Sequence, residues 1–132
     1  MRYLLDTHTL IWAIIDTPKL SLTARSILEN TDHQILVSPI SFWEISLKYA
    51  LGKLELHNIT PEDFPAACLD IGFDILPLEP KITSTLHHLQ ASYHKDPFDR
   101  VLIWQAMCLG IPLLSKDFEI ELYRSEGLKV TW

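Results

Sequence analysis

No stretch of this 132-residue chain approaches the roughly 20 consecutive apolar residues that a bilayer-spanning helix needs, so no membrane span is expected. Low-complexity runs and internal repeats are also missing, and glycine is scarce at 4 residues. With 48% hydrophobic residues, that composition argues against disorder. The chain has only 2 cysteines, Cys68 and Cys108, both in apolar helical stretches with no metal-type spacing between them. They read as small buried hydrophobes of a protein in a reducing cytoplasm. There is no Gly-rich phosphate loop, no zinc pattern and no Ser/His/Asp arrangement with a nucleophile elbow. A basic surplus is lacking too: 17 acidic residues outnumber 11 basic ones, for a net charge of −6. Taken alone, that is a poor footprint for nucleic acid.

What is present is a regular alternation of apolar runs and helical patterns. It predicts an α/β fold with a mostly parallel sheet, and the length fits a single domain over residues 1–132. Strands are expected at Arg2–Leu5, Ile35–Val37, Phe73–Leu76, Ile111–Leu114 and Leu128–Trp132. The greasy start, Met1 to Ile15, reads as a core strand followed by a helix. Asp6 and His8 interrupt it, and Asp16-Thr17-Pro18 is a poor signal-peptide cleavage site. Ser21 is the expected cap of a second helix with Leu22, Ile27 and Leu28 on its buried face. Ser41 is expected to cap a helix running towards Gly52, and Thr60-Pro61-Glu62-Asp63 to open one ending at Gly72. Pro80 opens a helix whose Ile82, Leu86, Leu89 and Tyr93 share a face, and Asp96-Pro97 opens the most apolar helix, ending at Gly110.

Four acids fall at strand ends or in the first turns of following helices: Asp6, Glu44, Asp99 and Asp117. In a parallel sheet with crossover helices all these positions face the carboxyl edge, where such folds place their sites. Four carboxylates gathered there would repel one another unless a divalent cation sat between them. Hard oxygen donors suit Mg²⁺ or Mn²⁺, and metal-dependent phosphoester chemistry is the first use to consider. Setting aside Asp6, Glu44, Asp96, Asp99 and Asp117 leaves 12 acids against 11 bases, so the excess negative charge is the proposed site itself.

Each acid also has a plain structural reading. Asp6 suits a helix N-cap. Ser41-Phe42-Trp43-Glu44 has the spacing of a capping box, and Lys48 stands four residues beyond Glu44, where the two would pair on one helix face. Asp96 as N-cap, Pro97 at the first helical position and Asp99 at N3 account for their spacing without chemistry. That account fits Asp96 better than Asp99, because a charge at the mouth of a buried helix is costly unless paired or metal-bound. Ser115-Lys116-Asp117 would alone be a polar turn. Trp12, Trp43 and Trp104 are read as core, and His8 and His94 as structural residues near the presumed site. His33, His57, His87 and His88 show no ligand spacing.

Leu-Leu-Asp6-Thr-His, Ser-Phe-Trp-Glu44-Ile with Gly52-Lys-Leu, Asp96-Pro-Phe-Asp99-Arg and Ser115-Lys-Asp117 occur in an order that resembles the PIN-domain nucleases. In particular the chain is similar to the VapC-type ribonuclease toxins of bacterial toxin–antitoxin pairs. The resemblance implies a three-layer α/β/α sandwich with a central, mostly parallel sheet. It implies that Asp6, Glu44 and Asp99 form an acidic triad with Asp117 as a fourth acid, both catalytic and metal-binding. Asp96, Thr7 and Ser115 match positions beside the metal. It further implies hydrolysis of RNA phosphodiesters with Mg²⁺ or Mn²⁺, a homodimer, and a cognate antitoxin that occludes the site. Lys48, Lys53, Arg100 and Lys116 are the nearest basic candidates for RNA contacts. A Mg²⁺-dependent phosphatase and a catalytically silent scaffold binding RNA or protein are the alternatives. The first is weakened because the acid/base Asp of such phosphatases, two positions after the first, is His8 here.

Overall fold

In the computed structural model, which describes residues 1–132, five strands form one all-parallel sheet in the order β3-β2-β1-β4-β5. The strands are β1 (Arg2–Leu5), β2 (Gln34–Val37), β3 (Asp74–Ile75), β4 (Leu113–Leu114) and β5 (Val130–Thr131). The helices are α1 (Thr7–Ile15), α2 (Leu22–Glu29), α3 (Pro39–Ala50), α4 (Phe64–Asp70), α5 (Pro80–Ser84), α6 (Pro97–Leu109) and α7 (Phe118–Glu121). No helix is long and apolar enough to cross a membrane.

Strand alternation sends successive side chains to opposite faces and so creates two cores. Leu4, Leu36, Leu113 and Val130 pack with Leu102, Ile103 and Ala106 of α6. Tyr3, Leu5, Ile35, Val37 and Leu114 pack with Leu10 of α1, Ala24 of α2, Ile45 of α3 and Phe64 of α4. Helices on both faces of the sheet make three layers, as the resemblance implies. The chain winds outward from β1 to β3, then returns to β4 on the other side of β1. The point where strand order reverses therefore lies between β1 and β4, the place where open α/β sheets form their crevices.

Several local expectations need correction. Ser38, not Ser41, caps α3: its hydroxyl accepts the Ile40 N–H at 3.3 Å, and Pro39 takes the first helical position. Glu44 therefore lies in the second turn, and the capping-box reading of Ser41 and Glu44 fails. Leu22 is 84% exposed, and Ala24 is the buried residue of α2. Cys68 is buried, but Cys108 is exposed. Trp43 stands 61% exposed, its ring edge against Phe98.

The helix expected from Pro80 through Tyr93 stops at Ser84 and gives way to a 3-10 turn at Leu86–His88. Thr85 turns its hydroxyl back onto the Lys81 carbonyl and accepts the Trp104 indole N–H at 3.0 Å. Beyond it, the Leu89, Ala91 and His94 carbonyls are taken by Arg100. A continuing helix would need those acceptors for its own N–H groups. Helix α7 was missed, although Asp117 followed by Glu119 and Glu121 is a recognisable helix start.

Candidate functional site

The acids named from sequence converge at the carboxyl edge, around the reversal between β1 and β4. Asp6, just past β1, caps α1 through Oδ1, which accepts the Thr9 N–H at 2.8 Å. Its Oδ2 accepts the Ser115 hydroxyl, which lies just past β4. Both oxygens are therefore fixed, and the residue is only 3% exposed. Burial pushes its carboxyl above the usual range, against the hydrogen bonds from Ser115 and Thr9 that pull it down.

Asp96 caps α6 by accepting the Phe98 and Asp99 N–H groups at 2.8 and 3.3 Å. Replacing such a cap with Ala typically costs about 0.5–2 kcal/mol. Asp96→Ala is expected to lower stability by about that amount in a thermal melt. Asp99 sits one turn into the same helix with no backbone donor on its carboxylate. Its carboxyl is pushed up to about 7, first by burial, then by the charges of Asp96 and Glu44, with His94 opposing the rise. Asp117 caps α7 through the Glu119 N–H at 2.8 Å, and its own N–H donates to Ser115 Oγ at 3.1 Å.

Glu44 is 2% exposed on α3. Its Oε2 pairs with Lys48, while its Oε1 is buried with no partner at all. A buried acceptor left open is unusual and marks a place where something else is expected to bind. Burial alone would lower the Lys48 ammonium, but Glu44 and the charges of Asp96 and Asp99 raise it overall. Its Nζ also lies 3.8 Å from Asp96 Oδ2.

His94, expected as a structural residue near the site, stands inside the cluster. Its Nε2 lies 2.9 Å from Asp99 Oδ2 and 3.2 Å from Asp117 Oδ2. Together these residues offer facing atoms all within 4.8 Å of one another. The nearest sequence signal was its place two residues before the Asp96 cap.

Two clefts flank the acids. One, of about 220 Å³, is lined by Asp6, His8, Trp12, Lys116 and Asp117. The other, of about 270 Å³, includes Thr7, His8, Glu44, Lys48 and Lys53. Lys116 and Lys53 therefore each share a cleft with acids of the site. Thr7 is turned aside, its hydroxyl donating to Ser41 at 3.0 Å. Arg100 departs from the expected RNA contact. Its guanidinium is spent internally, donating to Leu89 O at 2.7 Å, to Ala91 O at 2.8 Å and to the Tyr123 hydroxyl at 3.0 Å.

A family model of the PIN domain matches residues 3–125. The chain is 25% identical over 129 residues to ribonuclease VapC22 of Mycobacterium tuberculosis (strain ATCC 25618 / H37Rv), covering 98% of this chain and 97% of that one. Among solved structures, the DNA-bound VapBC of Salmonella typhimurium aligns with a TM-score of 0.69 at 20% identity, covering 99% of this chain and 97% of that one. VapBC-1 of nontypeable Haemophilus influenzae aligns at 0.67 and 19% identity, again over 99% and 97%. VapBC2 of Rickettsia felis, bound to a promoter DNA fragment, aligns at 0.66 and 18%, over 99% and 98%.

Proposed function

This chain belongs to the PIN-domain family, and from that premise we propose that it is a divalent-metal-dependent endoribonuclease, the toxin of a toxin–antitoxin pair. We take residues 1–132 as one nuclease domain acting in the cytoplasm as a homodimer. The observation that carries the reading is the convergence of five acids, Asp6, Glu44, Asp96, Asp99 and Asp117, whose ion pairs are with Lys48 and His94 alone. Within it, Asp99 is held up near neutral and Glu44 Oε1 is buried with nothing to accept from.

The residues fit a cation. The free donors are carboxylate oxygens, which suit Mg²⁺ or Mn²⁺ and disfavour soft metals. The open oxygen of Glu44 is the kind of buried acceptor that a cation would satisfy. Asp6, Glu44, Asp99 and Asp117 would hold it, and once bound it would supply Lewis acidity at the scissile phosphate and offset charge building on the leaving oxygen.

The chain's own residues do the rest. Ser115 and the Thr9 amide fix the Asp6 carboxylate, so its orientation is set before substrate arrives. Lys48 holds Glu44 in place and keeps a positive charge beside the acids. Lys53 and Lys116, one in each cleft, are placed to take backbone phosphates entering and leaving the acidic edge. The small clefts and scattered lysines suit one exposed strand of RNA better than a phosphomonoester pocket.

The three solved structures named above are VapBC complexes. By that likeness, a cognate antitoxin is expected to silence this chain, offering an Arg or Lys to the acidic cleft, since guanidinium pairs with carboxylates in bidentate fashion. Expression of the chain alone in a bacterial host is expected to arrest growth, and co-expression with the product of a small adjoining reading frame to restore it. Arrest that persists although the two proteins demonstrably form a complex would contradict the silencing. Unimpeded growth together with hydrolysis of a chromogenic phosphomonoester would favour the phosphatase alternative.

A further inference from the structure

We propose that His94 is a positioning residue of the acidic site: its ring N–H bridges Asp99 and Asp117 and holds their carboxylates together, without itself binding the cation. This deepens the metal-site reading above and rests on it.

The tautomer carries the argument. Nδ1 of His94 accepts the Asp96 backbone N–H at 3.1 Å. A ring nitrogen that accepts an N–H carries the lone pair, so in the neutral ring the proton sits on Nε2. Nε2 is the atom that faces Asp99 Oδ2 at 2.9 Å and Asp117 Oδ2 at 3.2 Å. It therefore meets both carboxylates as a donor and has no lone pair to offer an ion. A ligating histidine is arranged the other way, its outer nitrogen donating to a carboxylate or carbonyl and its inner lone pair facing the metal. Glu119 Oε2 also lies 3.5 Å from Nδ1, but it is 55% exposed and stands farther off than the amide.

The backbone that carries the ring is held in place by Arg100 and Tyr123. Residues 89–95 form neither helix nor strand. Arg100 gathers three of their carbonyls, those of Leu89, Ala91 and His94. The Tyr123 hydroxyl, on a fully buried side chain, accepts the His94 N–H at 3.1 Å and an Arg100 N–H at 3.0 Å. This anchoring explains why Arg100 is not free for substrate. Two carboxylates brought close repel, and one shared N–H offsets that repulsion and sets their spacing before a cation arrives. Preorganisation of this kind lowers the cost of binding, and outer hydrogen bonds to metal ligands are commonly worth about 10–100-fold in affinity.

The test is Mn²⁺ binding, measured by calorimetry and by pulsed electron paramagnetic resonance on the full chain. His94→Ala is expected to bind Mn²⁺ about 10–100-fold more weakly. His94→Gln, whose amide restores an N–H donor, is expected to recover much of the loss. The pulsed spectrum of the Mn²⁺-loaded unmodified protein is expected to lack coupling to a directly bound imidazole nitrogen, a readout that needs no variant to fold. Such coupling, or unchanged or tighter binding by a folded His94→Ala, would overturn this inference and leave the metal-site reading standing. No Mn²⁺ binding by the unmodified protein would overturn both.

Discussion

Asp99→Asn is expected to abolish RNA cleavage, by about 100-fold or more, while raising the melting temperature of the metal-free protein. The two effects have one origin. Burial, then the neighbouring charges of Asp96 and Glu44, push the Asp99 carboxyl up to about 7. Its folded pKa thus stands above its unfolded value, so the native state binds the proton more tightly than the unfolded chain. The associated stability is full below the unfolded value of 3.8 and is lost as pH rises through about 7. At about pH 8, without metal, the ionised carboxylate burdens the fold, and the neutral amide is expected to relieve about 1–3 kcal/mol. At about pH 5 the difference should narrow, because the folded carboxyl is mostly protonated while the unfolded one is still ionised, and it should vanish only below 3.8. Asn can still accept the His94 N–H, so the variant retains that contact and loses only the charge. Asp96→Ala should behave oppositely, losing cap stability and keeping much of the cleavage. Thermal melts of both variants at the two pH values, beside a cleavage assay, separate the cases. Full activity in Asp99→Asn would return the segment to its reading as a plain helix start.

The neighbourhood of the acids was legible because it depends on a global regularity. In a parallel sheet with crossovers, the ends of β1 and β4 and the starts of α1, α6 and α7 share one edge, so Asp6, Asp99 and Asp117 meet whatever the loops do. What failed was either local choice or long range. Helix α3 starts at Ser38-Pro39 rather than at Ser41, because a proline favours the first helical position. Periodicity carried the α5 pattern through Tyr93 because Ile82, Leu86 and Leu89 keep the helical spacing. The chain breaks instead, because Arg100, one helix turn into α6, and Tyr123, distant in sequence, take the polar groups of residues 89–95. The same contacts place His94, and no apolar periodicity announces them.

Metal dependence has the largest consequence of all. Asp6 and Asp99 are both raised by burial, Glu44 has an unmet buried oxygen, and the five acids form ion pairs only with Lys48 and His94. An arrangement that costs the empty fold this much is expected to be inert without its cation and active with it. The direct measurement is cleavage of a single-stranded or structured RNA by the purified chain in Mg²⁺, in Mn²⁺ and in excess EDTA. Cleavage is expected with either ion and none in EDTA, restored when the ion is returned. Robust cleavage in excess EDTA would contradict it.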